Sequence, residues 1–86
     1  MAQIKCFAVA DGMRCEEKVA IVRDSQNRLD YLSVDADFLT RSNGEYLLPV
    51  YVLGQNETGE LALIALPQES ERGNNRFWVN RNTLVP

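Results

Sequence analysis

The sequence predicts a mainly β domain: a small antiparallel barrel or two-sheet roll of five to six strands with one short helical turn. Three observations carry this. Apolar and polar residues alternate over short runs, as in strands that bury one face. Turn residues recur about every ten positions, the spacing of small barrels and packed sheets. No interval between strands holds the dozen or more residues that a parallel crossover needs. At 86 residues the chain is expected to be one domain, 1–86, without room for a second core.

The strands are expected near 4–10, 18–23, 28–34, 45–53, 60–66 and 76–80. In the first, Ile4, Cys6, Ala8 and Ala10 alternate with Lys5, Phe7 and Val9. Asp11-Gly12 then turns the chain. "VAIVR" and "RLDYLSV" flank "DSQN", which reads as a hairpin with a four-residue connection. In "DADFLTRSNG", residues 35–44, Asp35 can cap a helical or 3₁₀ turn anchored by Phe38 and Leu39, with Asn43-Gly44 ending it. "EYLLPVYVL" is the most β-prone stretch, but Pro49 has no N–H for a ladder, so an edge or a bulge is expected there. "GQNETG" turns into "ELALIAL", and a polar loop of about nine residues leads to "RFWVN". "RNTLVP" reads as a terminal turn with Leu84 and Val85 tucked against the end of the core.

The ending "RFWVNRNTLVP", a strand with a tryptophan, a tight turn and then a sealing leucine, resembles the close of SH3-like barrels. The resemblance covers about the last dozen residues and implies that architecture. It does not extend to proline-rich ligands: "DGMRCEEK" is acidic but lacks tyrosine, and the chain has one tryptophan rather than a pair.

Composition excludes several classes of function. The net charge is −3, and the nine basic residues form no stripe of the kind that marks nucleic-acid binding. There is no histidine, which removes the commonest general base and the commonest zinc ligand. Most carboxylates fall in turns or at strand ends, where solvated charges belong. Asp35-Ala36-Asp37 lacks the glycine and distal glutamate of a calcium loop. The glycines are isolated, so no phosphate-cradling loop exists. No apolar run approaches the roughly 20 residues of a membrane span, and the N-terminus does not read as a secretory leader, so a cytoplasmic protein is expected. Cys6 and Cys15 are then expected to be free thiols, Cys6 as a small core residue and Cys15 in a turn between the cations of Arg14 and Lys18. No cofactor, metal or catalytic residue is expected.

What remains is a surface. If Phe77 and Val79 point inward, Trp78 points outward with Arg76 and Asn80. By the same alternation the face opposite Leu48, Val50 and Val52 carries Leu47, Pro49, Tyr51 and Leu53. "LALIAL" is apolar on both faces, which calls for cover on both, either from the turn at Phe38-Leu39 or from a second molecule. Trp78, Tyr51, Leu53, Arg76 and Leu47 are therefore the expected partner-binding residues, with Ile64 nearby. Such residue types anchor interfaces. The competing reading has Trp78 closing one end of the core through a twist or bulge. The functional expectation is a non-enzymatic protein-interaction module, a small acidic adaptor, accessory subunit or inhibitor. Its partner would be another protein or a second copy in a homodimer. The alternative is a small nucleic-acid-binding barrel, with Trp78, Tyr51 and Phe77 stacking bases and Arg72, Arg76 and Arg81 on phosphate.

Overall fold

Where the first apolar alternation predicts one strand, the chain instead changes sheets. A computed structural model describes residues 2–85. β1 (Ala2–Lys5) is followed by Cys6, whose N–H donates to the Tyr46 carbonyl at 2.9 Å; the next N–H, of Phe7, donates to the Ile21 carbonyl at 2.8 Å. β2 (Ala8–Asp11) then runs in a different sheet. The predicted strand at 4–10 is thus two strands meeting at a corner. The Phe7 ring is turned outward there, with the Arg23 guanidinium 4.6 Å above its centre.

β3 (Glu17–Arg23) and β4 (Leu29–Asp35) form the predicted hairpin. Asp24 closes its turn by accepting the N–H groups of Gln26 and Arg28 on one carboxylate oxygen, at 2.8 and 2.9 Å. This lets Asn27 sit in the left-handed region, a conformation asparagine tolerates. A 3₁₀ turn, Ala36–Phe38, follows as expected, although Asp35 makes no side-chain cap. Its Leu39 packs on the core and its Phe38 is exposed, so it is no lid over the outer face of the 61–66 strand.

Asn43-Gly44 does not end a helix. Both residues have positive φ, 52° and 81°, and they join β5 (Thr40–Ser42) to β6 (Glu45–Gln55). This is the tight hairpin that an Asn-Gly pair favours. β6 is the spine of the larger sheet. Its even residues bond toward β1, as the carbonyl of Tyr46 shows, so its odd residues bond toward the opposite edge. On that edge β5 pairing ends at Leu47 and β7 pairing begins at Tyr51. Pro49 occupies the gap between them, where a missing N–H costs no ladder bond. The irregularity in β6 lies further on, between Val52 and Gly54.

β7 (Leu61–Ala65) and β8 (Arg76–Asn80) complete an antiparallel meander. A second 3₁₀ turn, Arg81–Thr83, delivers β9 (Leu84–Val85) to the free side of β1. The terminal turn is thus also a short strand. The larger sheet has the order β8-β7-β6-β1-β9, with β5 beside β6; the smaller is β2-β3-β4. Strands make up 57% of the described residues, arranged as two antiparallel sheets.

The two sheets share one core. Ile4, Leu48, Val50, Ala62, Ile64 and Val79 come from the larger sheet; Ala20, Val22, Leu32 and Val34 come from the smaller. Each alternates with an outward neighbour, as a half-buried strand requires. Fully burying such a side chain contributes about 1.5–3 kcal/mol relative to leaving it in water.

Candidate contact surface

The meander β6–β7–β8 places Trp78 by its ladder. Residues directly opposite on antiparallel strands share a face. Trp78 is opposite Leu63, which is opposite Gly54; Arg76 is opposite Ala65, which is opposite Tyr51. These two rows lie on the outer face. The inner face at the same level carries Phe77, Ile64 and Val52. Trp78 is therefore outward, as its alternation with Phe77 and Val79 predicts, and it is 39% exposed. Tyr51, one row away, is 55% exposed. Leu63 and Ala65 of β7 lie between them. A Cβ on Gly54 would meet nothing within 4 Å, and Ala65 separates Tyr51 from Arg76.

The strand beneath Trp78 is held from the other sheet. Ser25 in the β3–β4 turn donates its N–H to the Trp78 carbonyl at 2.8 Å. The loop before β8 is fastened to β4 as well. Glu71 donates to the Tyr31 carbonyl at 2.8 Å, Arg72 reaches the Leu29 carbonyl at 3.2 Å, and the Gln68 amide donates to the Ser33 carbonyl. At its centre is Asp30, a buried carboxylate. One oxygen accepts the Ser70 hydroxyl at 2.7 Å and the Asn74 amide at 3.2 Å; the other accepts the N–H of Tyr31 at 2.9 Å. Burial raises the pKa of this carboxyl, but the hydrogen bonds from Ser70, Tyr31, Asn74 and the Arg72 backbone outweigh it and hold the pKa below the ordinary aspartate value.

Not every predicted contact residue reaches the surface. Leu47 is only 6% exposed, lying between Lys5 of β1 and Thr40 of β5. The difference arises because β5, which supplies the second neighbour, is too short for its alternation to show in the sequence. Ile64 is fully buried and cannot adjoin Trp78. Leu53 is exposed, but it sits at the irregularity in β6 and borders a cleft at the end of the sheet. Trp78, Tyr51 and Arg76 are what the fold brings to one face.

The three arginines grouped in sequence are separated. Arg81 lies on that cleft and bonds Gln55. Arg72 and Arg76 instead line a polar hollow of about 340 Å³ with Arg28, Asp24 and Asp30. Phe77 packs against the core on the face opposite Trp78 and borders the same hollow. Arg28 is held by Asp24 at 3.0 Å.

Both thiols are free, Cys6 half-buried and Cys15 exposed. Burial pushes the Cys6 thiol up to about 11. Thiolate is the reactive species, so Cys6 is expected to resist alkylation at pH 8 while Cys15 reacts. Mass spectrometry after a short iodoacetamide pulse should find one modified residue, Cys15. Two equal modifications would contradict the buried position of Cys6.

Among the described residues, no three His, Cys, Asp or Glu side chains converge to hold a metal, and no helix is long and apolar enough to cross a membrane. No protein-family model, curated protein or solved structure matches the chain.

Proposed function

We propose that this protein is a non-enzymatic interaction module whose contact surface is the outer face of β6–β8, centred on Trp78 and Tyr51 with Arg76 at its rim. One observation carries the reading. The single tryptophan and an exposed tyrosine stand on the same sheet face, with Leu63 and Ala65 of β7 between them, on strands fastened to the second sheet. Tryptophan, tyrosine and arginine are the residue types that dominate binding energy, and a rigid base lowers the ordering cost of association. The occupant is another protein or a second copy of the chain. Nucleic acid fits less well, because Arg81 and Phe77 are drawn away from the aromatic face. A cytoplasmic adaptor, accessory subunit or inhibitor accords with the two free thiols.

The arrangement is also read as SH3-like. A three-strand meander followed by a 3₁₀ turn and a last strand returning to the first supports this, with β2–β4 as an elaborated excursion after β1.

Trp78→Ala is expected to weaken partner capture or dimerisation by about 2 kcal/mol or more. The β-sheet circular dichroism spectrum should be retained. Analytical ultracentrifugation of wild type and variant, with affinity capture from the native host, makes the comparison. A monomeric wild type with no Trp78-dependent partner would end the proposal.

A further inference from the structure

A cleft at the end of the larger sheet has a composition that the contact-surface reading does not use. Val52 faces inward by register, since its cross-strand partner Ile64 is fully buried, yet Val52 is 49% exposed. An inward residue left open marks a stretch of inner face that the smaller sheet does not cover. No residue of β2, β3 or β4 lines the space there. Its walls are Ala2 of β1, Val52 and Leu53 of β6, Ala62 of β7 and Leu84 of β9, around a volume of about 460 Å³. That lies within the range of about 300–1,000 Å³ typical of small-molecule sites, which are mostly apolar with a few convergent polar groups.

The polar groups are at the rim. Arg81 opens the second 3₁₀ turn, and its backbone N–H donates to the Glu60 carbonyl at 2.9 Å. Its Nη1 donates to Gln55 Oε1 at 3.1 Å. Gln55 lies opposite Ala62, so this bond spans the mouth of the cleft. One of the five guanidinium N–H groups is thereby used, and among the described residues no carboxylate lies within 4 Å of the others. In an acidic chain, an exposed cation tethered by Gln55 at the mouth of an apolar cleft, with no acidic partner among the described residues, is an anion-selecting element. A single guanidinium matches a monoanionic carboxylate, which it can grip through two parallel bonds.

We propose that this cleft binds a small organic carboxylate with an apolar body. The body lies on Val52, Ala62 and Leu84, and the carboxylate is held by Arg81. Trp78 is not among the cleft residues, so this site stands or falls independently of the aromatic face.

The test is a titration of the ¹⁵N-labelled 86-residue chain with decanoate, followed by amide chemical shifts. Decanol supplies the apolar body without the charge, acetate the charge without the body, and a short peptide ending in a free leucine carboxylate the same chemistry from a polypeptide. Decanoate should saturate and move the amides of residues 52–55, 62, 81 and 84, whereas acetate and decanol should bind at least about tenfold more weakly, as loss of a charge-assisted pair implies. Arg81→Gln should lower decanoate affinity by a similar factor with spectral dispersion retained, Arg81→Lys should recover part of it, and Trp78→Ala should change nothing. Val52→Trp, which fills the cleft, should abolish binding. The proposal is overturned by any of three results: no saturable shift at these residues, equal binding of decanol and decanoate with Arg81→Gln unchanged, or binding of the peptide alone.

Discussion

Asp30→Ala is expected to destabilise the fold by about 3 kcal/mol, because hydrogen bonds to a buried charged acceptor are each worth about 1.5–3 kcal/mol and their donors would be stranded. The losers are the Ser70 hydroxyl, the Asn74 amide and the N–H groups that converge on the carboxylate. Ser70 itself is buried, and its hydroxyl also accepts the Asn74 N–H at 3.1 Å, so the damage spreads through the loop that ends at β8. Because the carboxyl's pKa is lowered in the folded state, Asp30 stabilises the fold above the unfolded-state value of about 3.9. That contribution is lost as pH falls through the folded value. Asp24 adds an effect of the same sign: burial opposes ionisation, and the N–H groups of Arg28 and Gln26 with the Arg28 side chain prevail. Urea denaturation from pH 7 down to pH 2 should therefore show a wild-type stability that falls on the acid side. The gap between wild type and Asp30→Ala should narrow over the same range. A gap that stayed constant with pH would mean that the loop is held by something other than the ionised carboxylate.

The sequence disclosed Asp30's strand but not its burial. Asp30 shares the parity of Leu32 and Val34, both of which are inward, and that parity was the available signal. It was obscured because a carboxylate near a turn is normally solvated, and the loop residues that compensate it, Ser70 and Asn74, lie about 40 positions away. The same non-locality hid β5 and β9. A strand of three residues or two has too little alternation to read; only its partners, β6 and β1, define it. The longer hairpins were legible because their turns carry their own chemistry: Asp24 and Asn27 in one, Asn56 and Gly59 in the other. Asn43-Gly44 had that chemistry too. Its adjoining strand is masked by the neighbouring 3₁₀ turn, so a hairpin signal looks like a helix end. At the candidate surface, period-two alternation placed Trp78, Tyr51 and Arg76 correctly. It does not foresee the irregularity at Leu53, which is exposed but borders the cleft, nor the neighbour that covers the outward Leu47.

The strand "LALIA" offers the sharpest check on which face is which, because its sequence is apolar on both. Ile64 is fully buried among residues of both sheets, whereas Leu63 is half-buried opposite Trp78. Ile64→Ala should cost about 2–5 kcal/mol, the lost transfer energy plus the cavity left in a core that collapses only partly. A domain of this size is stable by roughly 5–10 kcal/mol, so the variant should lie near its unfolding threshold. Leu63→Ala removes a similar number of carbon atoms one position away. It gives up mainly a cross-strand contact with Trp78, worth about 1 kcal/mol or less. Adjacent residues of nearly equal hydrophobicity should thus differ several-fold in their effect on the urea midpoint. The order should invert in binding: Leu63→Ala, which lowers the floor beside the tryptophan, should weaken capture of the partner along with Trp78→Ala. Ile64→Ala should act on binding only through unfolding. Equal destabilisation by the two variants would mean that the outer face is covered within the monomer, and Trp78 would then belong to the core rather than to a contact surface.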